Sequence, residues 1–312
     1  MMRTKKARLL GPGLVACWIL LSAAPSGLKA AQTQAQKADA AKTLQTKIDV
    51  GGYSLFANIA GEGSPTVIFE AGGGNTNSVW DRVQSEISKI TKTVSYDRAG
   101  LGQSDRRNEP NTASNQVQEL HTLLEKSDVH GPYIIVANSY GAFVARLFAA
   151  QYPDEVSGVV FVDGTHEKFI NYLFKNLSPD QLAIFKKMDE SNPDGDASEI
   201  VISARQVEDA GKRNVLRNKP VIVLSSDMEI TAKQFANTPM AIVFPQWMNW
   251  QKDLAALSDR SRQSTVKGSG HLIHRDKPQV VIDAIKEMLA QVAITAPARK
   301  SREAETGPII SR

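Results

Sequence analysis

Tyr133-Ile134-Ile135-Val136-Ala137-Asn138-Ser139-Tyr140-Gly141 decides the reading of this chain. Its first five residues form a short apolar run rich in aromatic and β-branched side chains, the pattern of a buried strand. From Gly141 to Ala150 the residues read as a helix that ends by Pro153. A serine between such a strand and such a helix, with glycine two positions later, matches the nucleophile elbow, G-x-S-x-G. Small residues must flank that serine so that strand and helix can approach each other. The hydroxyl of Ser139 is then held at the carboxyl edge of a sheet, over a helix N-terminus. Ala137 stands where the pattern has its first glycine, one methyl larger. A serine capping an ordinary helix is the competing reading of this stretch alone.

Outward from the elbow, strands and helices alternate. Tyr53–Ala60, Thr66–Glu70, Thr93–Asp97 and Gly158–Asp163 read as strands, as do Val221–Leu224 and the short run Ser264–Val266. Helices are expected over Val79–Ile90 and over Ala113–Lys126, where Val117, Leu120, His121 and Leu124 recur at helical spacing. Continuous apolar strands alternating with helices predict an α/β fold with a mostly parallel sheet covered on both faces.

A base for Ser139 is expected after the last strand. Gly268-Ser269-Gly270-His271 supplies one, ahead of a helix with Pro278 in its first turn. Of the five histidines, His274 lies in the charged run His274-Arg275-Asp276-Lys277 and reads as solvated surface. His121 falls on the polar face of a helix, His130 on a loop, and His166 just past a strand. His271 is the candidate base.

At this point the chain resembles the α/β-hydrolase family, over about residues 48–290. Val67-Ile68-Phe69-Glu70-Ala71-Gly72-Gly73-Gly74, followed by Trp80, is similar to the family's third strand and oxyanion loop. Thr93 to Ser104 is similar to its fourth strand and the D-x-x-G-x-G-x-S turn, here Asp97, Gly100, Gly102 and Ser104. The resemblance implies an α/β-hydrolase fold with a helical lid, placed at about residues 165–218. It implies a triad of Ser139, His271 and a carboxylate, with the N–H groups of Gly73 and Tyr140 as the oxyanion hole. For the acid, the commoner family position follows strand 7, where Asp227 and Glu229 lie. Haloalkane dehalogenases place it after strand 6, at the spacing seen between Ser139 and Asp163. Asp163 ends a strongly apolar strand next to the elbow strand and is the favoured acid, with Asp227 the alternative and Glu229 third. Serine at position 139 argues against the dehalogenase and epoxide hydrolase chemistries themselves, which use a carboxylate nucleophile there.

The 312 residues, 42% hydrophobic, suffice for one large α/β core. The net charge of +4 sits at the ends: Arg3, Lys5, Lys6 and Arg8 carry four positive charges, and the segment from Pro297 contributes two more. The remainder is slightly acidic, so no nucleic-acid partner is expected. The basic start, the apolar run Leu14–Leu21 and the small residues after it form the tripartite pattern of a secretory signal peptide, assigned to residues 1–30. That run is too short for a stable membrane span. Cys17, the single cysteine, would leave with it. A polar, Ala-rich tether is expected over 31–45, the catalytic domain over 46–296 and a disordered tail over 297–312. A secreted or periplasmic location follows as an expectation.

No G-x-G-x-x-G opens a helix and no G-K-S/T is present, so no nucleotide is expected; the sequence carries no metal-cluster or cofactor fingerprint, so no metal or cofactor is expected either. Phe169, Tyr172, Leu173 and Phe174, and then Phe235, Phe244, Trp247, Met248 and Trp250, offer either core packing or an apolar pocket. The resemblance to the α/β-hydrolases implies hydrolysis of carboxylic esters, and the aromatic residues add the expectation of an apolar acyl or aromatic group. Two alternatives are a peptidase or amidase, anchored by Asp189, Glu190, Asp194, Asp196 or Glu199, and a receptor that uses the pocket without turnover.

Overall fold

In the computed structural model, the residues described here are 43–189 and 197–295. Residues 1–30, most of the 31–45 segment, the 190–196 part of the expected lid and residues 297–312 lie outside them. Eight strands form one sheet: β1 (Thr43–Asp49), β2 (Ser54–Ala60), β3 (Thr66–Glu70), β4 (Thr93–Tyr96), β5 (Tyr133–Asn138), β6 (Val156–Val162), β7 (Val221–Ser226) and β8 (Ser261–Val266). Their order is β1-β2-β4-β3-β5-β6-β7-β8; β2 runs antiparallel to β1 and β4, and every other pairing is parallel. β1 begins at Thr43, inside the segment read from sequence as tether. It is a mostly exposed edge strand, so it lacks the apolar alternation that would mark it.

The central strands are apolar throughout because both faces are covered. Ile135 and Ala137 of β5 face one core, with α2 (Ala113–Lys126) and α3 (Gly141–Gln151) over them; Ile134 and Val136 face the other. That second core is closed by Trp80, by α1 (Asp81–Ile87) and by α10 (Pro278–Thr295). A 3-10 turn, Asn77–Trp80, opens the helix expected over 79–90.

Between β6 and β7 the chain leaves the sheet as α4 (Lys168–Asn176), α5 (Pro179–Asp189) and α6 (Ala197–Gly211). Ser178 caps α5: its Oγ accepts from Gln181 N–H at 3.2 Å, and Gln181 Oε1 accepts from Ser178 N–H at 3.0 Å. α6 packs on α3 and caps α2, since Glu199, Ser203 and Gln206 accept from the N–H groups of Asn111, Ala113 and Ser114. After β7 come α7 (Met228–Phe235), a 3-10 turn (Pro239–Val243) and α8 (Phe244–Ala255); a single turn, α9 (Ile273–Asp276), precedes α10.

Candidate active site

Sheet register brings the candidate residues together before any side chain is considered. Asn138 of β5 pairs with Val162 of β6, so the next residues, Ser139 and Asp163, emerge side by side at the carboxyl edge. Both adopt left-handed backbone, φ +51° and φ +50°, a conformation non-glycine residues hold only when their surroundings impose it. At Ser139 the imposition is visible: Ala142 N–H and Thr165 N–H both donate to its carbonyl, at 3.0 and 2.9 Å. Gly141 is the small residue that the turn requires. A Cβ there would lie 2.8 Å from Glu70 O and 2.9 Å from Ala71 O. Ala137 is fully buried and accommodated in place of the pattern's first glycine.

Asp163 is fully buried and holds three donors. Its Oδ2 accepts from His271 Nδ1 at 2.7 Å; its Oδ1 accepts from Ser226 N–H at 2.9 Å and from Trp247 Nε1–H at 3.0 Å. Trp247 also packs edge-on to His271, with ring centroids 5.7 Å apart, and Phe235 does so at 6.1 Å. The indole nitrogen of Trp247 is a contact that sequence reading missed: the aromatic was visible, its polar partner was not.

Asp227 lies elsewhere. It caps α7, accepting from Glu229 N–H at 3.2 Å and from Gly268 N–H at 3.1 Å, while its own N–H donates to Ser269 O at 2.8 Å. Those backbone bonds hold its carboxyl below the ordinary range. Glu229 is exposed and pairs with Lys233. Asp276 Oδ2 fastens the same loop through Gly270 N–H at 2.8 Å. Asp227 and Asp276 therefore support the turn that carries His271, and Asp163 contacts the imidazole.

The other histidines divide differently from their sequence reading. His274 is not solvated surface, as its charged neighbours imply; it is fully buried, its ring lying against Trp80 with centroids 4.3 Å apart and planes tilted by 30°. Neither ring nitrogen has a hydrogen-bond partner among the described residues, and burial pushes the imidazole down to about 3. The local pattern misleads because α9 is one turn long and turns His274 under the sheet, against Trp80. His166 is also buried and pushed down to about 4 by desolvation, His121 stacks on Tyr152, and His130 is exposed.

Ser139, His271, Gly73 and Tyr140 line one cavity of about 180 Å³. The rest of its wall is largely apolar, with Phe143, Phe169, Ile200, Phe235, Met240 and Trp247 among it. The aromatic stripes of α4 and α8 thus serve both readings: Phe169 and Trp247 wall the cavity, while Leu173 and Trp250 pack in the core. The D-x-x-G-x-G-x-S turn acts from behind. Asp97 Oδ1 accepts from Asn77 N–H at 2.7 Å and Oδ2 from Gln103 N–H at 2.9 Å. Gly102 sits so close that a Cβ would lie 2.1 Å from Asp97 Oδ2. Of the acidic residues weighed as an amine anchor, Glu199 is engaged with Asn111 N–H; Glu190, Asp194 and Asp196 fall outside the described residues. Among the described residues no group of three or more His, Cys, Asp or Glu side chains has metal-binding geometry, and no helix is long and apolar enough to cross a membrane.

With this geometry in view, comparison with known proteins is consistent. A family model described as alpha/beta hydrolase fold matches residues 65–196. The Bacillus subtilis (strain 168) protein YqjL is 32% identical over 229 residues, covering 73% of this chain and 85% of its own. Several further curated relatives are matched over only 15–40% of their own length. Among solved structures, haloalkane dehalogenase DbeA from Bradyrhizobium elkani USDA94 superposes with a TM-score of 0.60 at 14% identity, over 82% of this chain and 100% of that one. Est816, described as an N-acyl homoserine lactone degrading enzyme, gives 0.57 at 13% identity, over 78% and 99%. These structures are alike in fold. The chain belongs to the α/β-hydrolase fold family.

Proposed function

We propose that this protein is a serine hydrolase that cleaves carboxylic esters through an acyl-enzyme, with Ser139, His271 and Asp163 as its triad. The observation that carries the reading is the 2.7 Å bond from His271 Nδ1 to the buried carboxylate of Asp163, on the wall of the cavity that Ser139 also lines. A proton held on Nδ1 by Asp163 leaves the Nε2 lone pair available to Ser139. Nε2 takes the Ser139 proton as Oγ attacks the ester carbonyl. The N–H groups of Gly73 and Tyr140 receive the oxyanion. His271 then returns the proton to the departing alcohol, next removes one from the water that attacks the acyl carbon, and passes that proton to Ser139 Oγ as the acid leaves.

The apolar wall favours a neutral substrate with a short acyl chain or a single aromatic ring. An engineered cavity of about 150 Å³ holds benzene, so roughly 180 Å³ suits a group of that size. The peptidase alternative draws no support from Glu199, which is occupied. Export is part of the proposal and rests on the basic and apolar pattern of residues 1–30. A p-nitrophenyl ester series run beside aminoacyl p-nitroanilides tests the activity. Turnover of short esters, lost in Ser139→Ala, is expected. Anilide turnover alone would point to an amidase, and binding without turnover to a receptor.

A further inference from the structure

Behind the cavity lies a buried ion pair that the triad does not use. Arg98 is 2% exposed and Glu70 is fully buried. Arg98 Nη1 donates to Glu70 Oε1 and to Ala71 O, both at 2.7 Å, and Nη2 donates to Gly72 O at 2.7 Å. Tyr96 OH donates to Glu70 Oε2 at 2.6 Å, and the Tyr140 ring faces the guanidinium at 5.6 Å. Burying such a pair adds little stability over apolar residues of the same size. Its geometry explains its presence better than its energy does.

A trans peptide unit is planar, so the C=O of one residue and the N–H of the next point in opposite directions. The 72–73 bond is trans. With Gly72 C=O fixed on the guanidinium, the Gly73 N–H is turned away from Arg98. Gly73 lines the cavity beside Ser139. Gly72 itself abuts the nucleophile, since a Cβ there would lie 3.2 Å from Ser139 Cβ and 2.8 Å from Asn138 Oδ1. Three glycines in succession, Gly72 to Gly74, resist a peptide flip poorly, and the turn adds to the Arg98 contact a longer bond from Asn75 N–H to the Gly72 carbonyl, at 3.2 Å. A flip would direct the Gly72 carbonyl at the site of the oxyanion and the Gly73 N–H away from it.

We infer that Arg98 is a positioning residue that locks the 72–73 peptide plane and so presents the Gly73 N–H to the oxyanion, an inference that rests on the serine hydrolase reading above. Arginine suits the task because its planar fork reaches two carbonyls and a carboxylate at once, whereas lysine offers a single point charge. Arg98 touches no substrate; it acts through the backbone of Gly73.

Removing Arg98 alone leaves Glu70 buried and unpaired, so the informative variant is Glu70→Gln/Arg98→Met, with Arg98→Lys beside it. Each is checked for folding by thermal melt and assayed on p-nitrophenyl butyrate. Each is also titrated with a trifluoromethyl ketone, which forms a tetrahedral hemiketal on Ser139 and needs the oxyanion donors. Loss of one donor predicts a fall in kcat of about 10²-fold with KM little changed, and a similar loss of ketone affinity. Arg98→Lys, holding fewer carbonyls, should fall between wild type and the double variant. A folded double variant with wild-type kcat and ketone affinity overturns the inference. If the double variant does not fold, Arg98→Lys decides: a loss carried by KM with kcat retained overturns it equally. Ser139→Ala, assayed in parallel, separates the two levels. If it is inert while folded Arg98 variants are fully active, the peptide lock alone fails; if it retains turnover, the reading beneath it fails.

Discussion

Asp163→Asn changes one of the three bonds at the buried carboxylate and spares two. The amide oxygen, placed at Oδ1, still accepts from Ser226 N–H and Trp247 Nε1–H. That choice puts the amide NH₂ opposite His271 Nδ1, where a carboxylate oxygen now accepts at 2.7 Å. Donor would then face donor, so the imidazole shifts its proton to Nε2 and loses the lone pair that Ser139 requires. The same substitution in a serine protease lowers kcat about 10⁴-fold, or roughly 5.4 kcal/mol of barrier, and a similar loss is expected here. Stability should change far less, because no cavity forms, the buried charge disappears, and the amide NH₂ can donate to Nδ1 of the shifted tautomer. Steady-state kinetics on p-nitrophenyl butyrate, with thermal melts, test this against Asp227→Asn. The latter keeps a side-chain oxygen to cap α7 and should retain most of its rate. A crippled Asp227→Asn beside a nearly normal Asp163→Asn would refute the reasoning.

Two further outcomes follow from the same structure. His274 is held neutral in the folded state, down to about pH 3, while an unfolded histidine protonates near 6.5. A depressed folded value means full stability above the unfolded value and loss as pH falls, by up to about 1.4 kcal/mol per unit between 6.5 and 3. His274→Phe keeps a ring against Trp80 and removes that titration, so denaturant unfolding at pH 7 and pH 5 should show a smaller loss in the variant than in wild type; parallel losses contradict the account. Met240→Ala enlarges the cavity by two or three methylene equivalents at ~0.8 kcal/mol each. The ratio of kcat/KM for p-nitrophenyl octanoate over butyrate should rise about 10-fold, the imperfect fit of a flexible chain taking part of that gain. An unchanged ratio would place the acyl group elsewhere.

Ser139, Asp163 and His271 were legible in sequence. Ser139 and Asp163 each directly follow a strand whose apolar run is unmistakable, His271 follows the polar β8 and is marked instead by its Gly-flanked loop, and a parallel sheet carries all these ends to one edge. Elements with strong periodicity, such as α2, also fell where the pattern put them. Missing from the local pattern was anything decided by tertiary neighbours. β1 is an exposed edge strand without apolar alternation, His274 is polar by its neighbours and buried by its fold, and the indole N–H of Trp247 meets Asp163 only after α8 docks. Arg98 and Glu70 left a faint trace: Glu70 is a charge at the end of the apolar run Thr66–Phe69, and Arg98 follows the strand beside it. A charge in a buried strand asks for a counter-charge on an adjacent one, a signal that could have located the pair.

The central claim is that Ser139 is the nucleophile, and a fluorophosphonate tests it most directly. The folded protein is treated with the reagent, digested, and mapped by mass spectrometry, with Ser139→Ala and His271→Ala as parallel samples. One phosphonyl adduct on the peptide bearing Ser139 is predicted, formed in step with loss of esterase activity, absent from Ser139→Ala and greatly slowed in His271→Ala. An adduct on another residue, or esterase activity that survives full modification of Ser139, would contradict the account.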